Sequence, residues 1–339
     1  MAEFDAAVIS RLQDHFSDGL VTVVGAGHSM GLGLPSMGEL ASALLEQVPQ
    51  RLSTPDVNWD AIAQKLADGA NLEAALSDIS ASETLLAVLV AVTADTIAGA
   101  ERDAISEIVS KRRELALATL IPHLAISESA TIITTNYDRL VELAVEMAGY
   151  AVDCAFVGKH LAAFDPDAAR RALRSEVVGN SKHLTMRYRP NIAVRKPHGS
   201  LDWYVRGDDL VRCPYPVDLP RLMITPGATK FLLGYERPFD RHRELANHAI
   251  DKAARFLTIG YGFNDHHLQT HLTTRIQAGV PTVILSRTLS ETARELSVLP
   301  TVIAIERDGA GAKIHIDGEV IKAETSLWSL DSFVKEVLI

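Results

Sequence analysis

The 339-residue chain is poor in cysteine, with only Cys154 and Cys213, far apart in sequence. Two separated thiols cannot build a disulfide framework or a zinc module of two cysteine pairs. Positive charge is also scarce: 33 Lys and Arg stand against 43 Asp and Glu, a formal net charge of -10. That balance argues against a surface that collects nucleic-acid backbones or anionic lipids unaided, and makes a small molecule or a protein the default ligand. Long apolar runs are missing too. LLAVLVAVTA, from Leu85 to Ala94, stops at Asp95, whereas a membrane span needs about 20 residues, so this stretch reads as a buried helix. The first residues, MAEFDAAVISRLQDHF, offer neither the basic segment nor the apolar core of a secretory signal, and cytoplasmic residence is expected. The chain shows no internal repeat, no low-complexity tract, no Walker GxxxxGK[ST] sequence and no nucleic-acid-binding motif.

Apolar residues make up 47% of the chain, enough for a large core in one enlarged domain or two. LVTVV at Leu20 to Val24 is a strand candidate that runs into GAGHSMGLGLPS, with a helical pattern in MGELASALLEQV after it. Strand, glycine-rich turn and helix is the opening of a nucleotide-binding α/β fold. Trp59 to Ala125 is rich in helix formers and reads as a helical insertion. TIITT at Thr131 to Thr135 is a second strand ending in Asn136, followed by a helix that stops at Gly149. Residues 158–190 read as irregular and Arg-rich, and IAVRK at Ile192 to Lys196 as a strand ending in PHGSLDWY. Helix then strand recurs three times, ending in FLTIG, TVILS and TVIAI. The pattern predicts a Rossmann-like, doubly wound parallel sheet, formed by residues 1–58 and 126–339, with 59–125 inserted as a cap or an oligomer interface. AKIHIDGEVIKA carries the Asp-Gly signal of a two-residue hairpin.

Each motif has a functional and a plain structural reading. Gly25-Ala26-Gly27 is where backbone can approach a pyrophosphate without a Cβ, with Ser29 or the following amides donating to its oxygens; glycines also serve tight turns with no ligand. Asn136 lies at the carboxyl edge of the sheet, where ligands of open α/β folds bind, or else caps the next helix, the role expected of Asp138. His198 sits between Pro197 and Gly199 and so is aimed by its neighbours. It suits a general base for a ribose hydroxyl, or it faces solvent. His267 and His271 share a helix face, yet no HExxH arrangement accompanies them and no metal is expected; Asn264 or Asp265 reads as the cap of that helix. Trp203 and Tyr204 read as core before pocket wall.

GAGHS, TTNYD, KPHGS and LTIGYGFND, in this order, resemble the sirtuin family over roughly residues 21–286. The resemblance implies that Gly25, Ala26, Gly27 and Ser29 approach the phosphates of NAD, that Asn136 holds the nicotinamide ribose and a water, and that His198 contacts the ribose hydroxyls. Gly260, Gly262 and Ser286 would approach the adenosine half. The chain departs from protein-deacylating sirtuins in lacking their zinc cysteines, in continuing its glycine turn as GLPSMGEL, and in carrying Thr135-Asn136 where they have Gln-Asn. In these departures it resembles the sirtuin-like NAD-consuming effectors of bacterial antiphage defence. Hydrolysis of NAD to nicotinamide and ADP-ribose is therefore expected, with no cofactor beyond NAD as substrate. A protein deacylase and a noncatalytic sensor of NAD or ADP-ribose are the alternatives. By the same resemblance the chain is expected to form a homo-oligomer and to need a partner, a HerA-class hexameric ATPase first, with neither nucleic acid nor membrane bound directly.

Overall fold

Short strand-forming runs, the central ones β-branched and buried on both faces, build the centre of the molecule. In a computed structural model describing residues 2–77, 82–126, 128–180, 183–224 and 236–339, nine of these runs form one sheet. They are β1 (Leu20–Val24), β2 (Ser129–Thr134), β3 (Ala151–Asp153), β4 (Asn191–Arg195), β5 (Arg255–Ile259), β6 (Thr282–Leu285), β7 (Val302–Asp308), β8 (Gly311–Ile316) and β9 (Glu319–Ala323). Every residue of β1 and β6 is buried, as expected of parallel strands covered on both faces. The spatial order is β9-β8-β7-β6-β5-β1-β2-β4-β3. From β3 to β7 all neighbours are parallel, and β8 and β9 add an antiparallel meander. The hairpin turn between them is Asp317-Gly318, both with positive φ (52° and 79°), as a two-residue primed turn requires.

The chain leaves β1 towards β2 on one side and later returns to β5 on the other. The strand order therefore reverses between β1 and β5, and the crevice beyond their carboxyl ends is where open α/β sheets bind ligands. Separate apolar clusters fill the two faces of the sheet. One includes Val24, Ile132 and Leu257; the other includes Val23, Ile133 and Phe256.

The insertion is helical as expected, with helices Val57–Ala67, Leu72–Ser77, Glu83–Ser110 and Ala116–Leu124. Helix Glu83–Ser110 is long and apolar enough to cross a membrane by length and composition. In this fold it packs on helix Met37–Arg51 and buries Leu85, Leu89, Val92, Ile97 and the charged Glu101.

Residues 158–190 differ from the irregular reading. Helix Pro166–Ala172 is followed by the hairpin Arg174–Asn180 and His183–Tyr188. Strand Ala162–Phe164 joins Phe156–Val157, Gly199–Arg206, Asp209–Arg212 and Arg221–Met223 in a second, antiparallel sheet. Strand Ala162–Phe164 is too short to show the alternation that reveals a strand in sequence, whereas the hairpin strands, of seven and six residues, are long enough, and HLTMRY carries that alternation. Trp203 and Tyr204 are core residues, 1% and 2% exposed, packed in separate clusters of this small sheet.

Candidate active site

The turns after β1 and β5 meet backbone to backbone. Gly25 N–H donates to the Ile259 carbonyl at 2.9 Å, Gly27 N–H to the Gly260 carbonyl at 3.0 Å, and His28 N–H to the Gly25 carbonyl at 3.1 Å. A Cβ on Gly25 would lie 2.5 Å from the Gly260 oxygen, and one on Gly260, whose φ is +57°, 2.5 Å from the His28 nitrogen. Close packing of one turn on the other thus demands these glycines whether or not a phosphate binds, and the amides of Gly25, Gly27 and His28 are spent within the protein. These contacts account for the glycines as a tight turn, one of the two readings given to them from the sequence.

Beyond these turns opens a cavity of about 400 Å³, within the range of small-molecule sites. Ala26, Gly27, Ser29, Asn136, His198, Gly260 and Gly262 all line it. Gly25 is not on the wall; it lies beneath, offering its carbonyl to Asn136. Ser286 is also off the wall, at the end of β6, where its hydroxyl donates to the Thr288 carbonyl at 2.8 Å.

Asn136 is 7% exposed. Its Nδ2 donates to the Gly25 carbonyl at 3.1 Å and to Ser29 Oγ at 2.9 Å. A carbonyl can only accept, so the amide's orientation is fixed, both its hydrogens are used, and Oδ1 is the atom left to a ligand. The capping reading of Asn136 does not hold. Nor is Asp138 the cap: Arg139 holds that position without a side-chain cap bond, while Asp138, one residue earlier, accepts from Leu140 N–H at 3.1 Å and, on its other oxygen, from Ser29 Oγ at 2.8 Å. Burial pushes the Asp138 carboxyl above its usual range, against the pull of Lys196, Ser29 and Leu140 N–H. Fully buried Lys196 donates to the Asp138 carbonyl and lies 3.2 Å from Glu142 Oε1.

His198 joins the main sheet to the small one, between β4 and strand Gly199–Arg206. Gly199 has φ +85°, and a Cβ there would lie 2.2 Å from the Leu222 oxygen, so the Gly after the His is needed for the chain to turn. The Tyr137 carbonyl accepts from Leu201 N–H at 3.0 Å and Ser200 Oγ at 3.2 Å, tying the Asn136 loop to the His198 loop. His198 Nε2 lies 3.0 Å from Asp265 Oδ2, with the two side chains 20% and 12% exposed.

Several contributors were not singled out from sequence. Asp265, read only as a possible cap, faces His198. Glu73 and Ile97 of the insertion are part of the cavity wall. Lys196, beside the His motif, carried a local signal; Glu73 and Ile97 carried none, because only the tertiary fold brings them here. The described lining residues include three carboxylates, Glu73, Asp138 and Asp265, and no Lys or Arg. No group of three or more His, Cys, Asp or Glu among the described residues could hold a metal. The side chains of His266 and His267 lie outside the described residues, and His271 Nδ1 is 3.8 Å from Asp251 Oδ1.

A family model described as SIR2-like domain matches residues 130–285, a span containing Asn136, His198, Gly260 and Gly262 but neither the Gly25 turn nor Ser286. Among solved structures, the chain is similar to a mutant Sir2 homologue in complex with 2'-O-acetyl ADP ribose, at 13% identity and TM-score 0.46 over 96% of this chain and 95% of that one. It is also similar to a Sir2 enzyme studied for mechanism and regulation, at 12% identity and TM-score 0.43 over 85% and 88%. A Sir2–p53 peptide–NAD+ complex aligns at 14% identity and TM-score 0.39 over 84% and 88%. No curated protein is a significant sequence match.

Proposed function

We propose that the chain is an NAD+ glycohydrolase, splitting NAD+ and water into nicotinamide, ADP-ribose and a proton. The observation that carries this reading is the meeting of Asn136 and His198 on one cavity at the sheet's switch point. The SIR2-like match over both residues supports NAD as the ligand. In the proposed reaction the bond between the ribose C1' and the nicotinamide nitrogen breaks with its electrons leaving on nicotinamide. Positive charge passes from the ring to the ribose, in a wall whose described residues bring carboxylates and no Lys or Arg, and such pre-set charge favours a cationic transition state. Asn136 Oδ1 accepts a hydrogen bond from the ribose or the attacking water, and His198 takes the proton released as the oxygen of water bonds to C1'. Ala26, Gly27, Ser29, Gly260 and Gly262 line the part of the wall assigned to the rest of the dinucleotide; Gly25 supports it from below, and Ser286 contributes from outside.

The biological setting belongs to the same proposal. An enzyme that destroys free NAD must be held inactive, so turnover is assigned to an antiphage-defence effector that acts after assembly as a homo-oligomer and with a partner, a HerA-class ATPase by family resemblance. The deciding experiment incubates purified protein with NAD+, alone, with an acyl-lysine peptide, and with a purified HerA-class ATPase. Nicotinamide and ADP-ribose without peptide are expected. Nicotinamide formed only with peptide would make the chain a deacylase, and tight binding without turnover under every condition would make it a sensor.

A further inference from the structure

The insertion and the Asn136 loop share a buried ionic contact. Glu101, on helix Glu83–Ser110, is 0% exposed, and its carboxylate is held by the residue that follows Asp138. Arg139 donates to Glu101 Oε1 from its backbone N–H at 2.5 Å, to both carboxylate oxygens from Nε at 3.1 Å, and to Oε2 from Nη2. A planar guanidinium meeting a carboxylate in this forked way fixes direction as well as distance, and the added backbone bond makes the grip one on the loop itself. Arg139 also reaches the Pro214 carbonyl at 3.3 Å. One helical turn before Glu101, on the same helix face, Ile97 lines the ligand cavity. A single helix face therefore touches both the space where a ligand would sit and the loop that carries Asn136.

We propose that Glu101 is a positioning residue: from the insertion it holds the loop 134–140 so that Asn136 Oδ1 is aimed into the cavity, and it couples any displacement of the insertion to turnover there. The turnover half of this inference rests on the NAD+ hydrolase reading above; the positioning half does not. Helix Glu83–Ser110 shares an apolar cluster with one face of the sheet through Leu85, Leu89, Val92 and Ile97, and the Glu101 carboxylate adds a directional hold on the loop that carries Asn136. A partner that shifts this helix from outside would move Glu101 together with Ile97 of the cavity wall, and so change the aim of Asn136 without itself entering the cavity.

The test compares Glu101→Gln and Glu101→Ala with Arg102→Ala, whose side chain lies one position along the same helix and is 79% exposed. Two readouts are taken on the full chain: amide hydrogen exchange of residues 134–140 without ligand, and kcat and KM for NAD+. Glu101→Gln is expected to speed exchange in that segment and to lower kcat by about 10- to 100-fold, the scale on which misplacement remote from the chemistry acts, with KM changed less than threefold. Arg102→Ala should match wild type in both. Arg139→Lys, which keeps the charge but loses the fork, should fall between them and decides the matter if a Glu101 variant does not fold. Wild-type exchange and wild-type kcat in folded Glu101→Gln would overturn the inference. A wild-type protein that cleaves no NAD+ would sink the hydrolase reading instead, while the exchange data alone would still judge the clamp.

Discussion

Asn136 and His198 face one cavity but are held in opposite ways. Asn136 is 7% exposed, has both amide hydrogens committed, and is backed by Ser29, Asp138 and Lys196. The His198 side chain is 20% exposed and has a single carboxylate, Asp265, at 3.0 Å. One residue is built into the scaffold and the other is set on a junction between two sheets. The difference suits their proposed tasks, since an orienting group gains from rigidity, whereas a group that takes up a proton must be reached by solvent to give it back.

Replacing each residue by Ala should break this symmetry of effect. Asn136→Ala is expected to lower kcat for NAD+ by roughly 10²-fold or more. It should also lower the melting temperature, because the Gly25 carbonyl, left with His28 N–H alone, and Ser29 Oγ each lose a buried hydrogen bond from the amide, worth about 0.5–1.5 kcal/mol apiece. His198→Ala should lower kcat by a similar factor, about 10², with the melting temperature almost unchanged. Steady-state kinetics and thermal unfolding on the same preparations check both. Equal destabilisation by the two substitutions would erase the contrast, and near wild-type turnover in either folded variant would remove that residue from the catalytic assignment.

Acid should act first on the scaffold that carries the rigid half. His15, 5% exposed, contacts the Phe256 carbonyl of β5 at 2.8 Å through Nε2, and with a carbonyl as partner that nitrogen must carry the hydrogen. Burial pushes this imidazole down to about 4, against the help of the Phe256 bond and with the Arg255 charge adding to the fall. Burial likewise lowers His242. Between pH 6.5 and about 4 the unfolded chain binds the proton that folded His15 refuses. This contribution to stability is therefore complete above pH 6.5 and is lost as the pH falls, by ~1.4 kcal/mol per pH unit for each such group. Unfolding free energies from urea titrations at pH 6.5 and pH 5 should differ by ~2 kcal/mol on account of His15, and His15→Gln should flatten the slope by that share. An unchanged slope in the variant would show that His15 is not buried neutral.

The central fold was legible because parallel strands write themselves as apolar runs bounded by glycine, and the Asp317-Gly318 turn has a local signature. Asn136 and His198 were singled out for a related reason: both follow strand ends, the edge where such sheets bind ligands, and both line one cavity. What stayed hidden is non-local. Glu101 meets Arg139 across 38 positions, Asp265 meets His198 from the far side of the switch point, and nothing in the residues around Glu73 marks it as part of a wall. The glycines marked a close approach of backbone, here one turn on the other, but a pattern of glycines does not say whether the close neighbour is a ligand or another turn of the same chain.

The smallest expected effect is none at all. No metal is expected to support either residue, so dialysis against a strong chelator should change neither NAD+ cleavage nor the melting temperature. The physical grounds lie in the cysteines. A thiol binds zinc as the thiolate, yet burial pushes Cys154 above its usual range even with Arg212 beside it. Cys213 is also buried, in the small sheet away from the cavity wall, and no cluster of three ligand-type residues occurs among the described residues. Structural zinc sites contribute folding free energy outright, so a chelator unfolds proteins that depend on them. Elemental analysis of the purified protein together with unfolding curves before and after dialysis measures this. Stoichiometric zinc whose removal lowers the melting temperature would show that the chain has a metal module after all, and would move it towards the deacylating enzymes from which its cysteine content separates it.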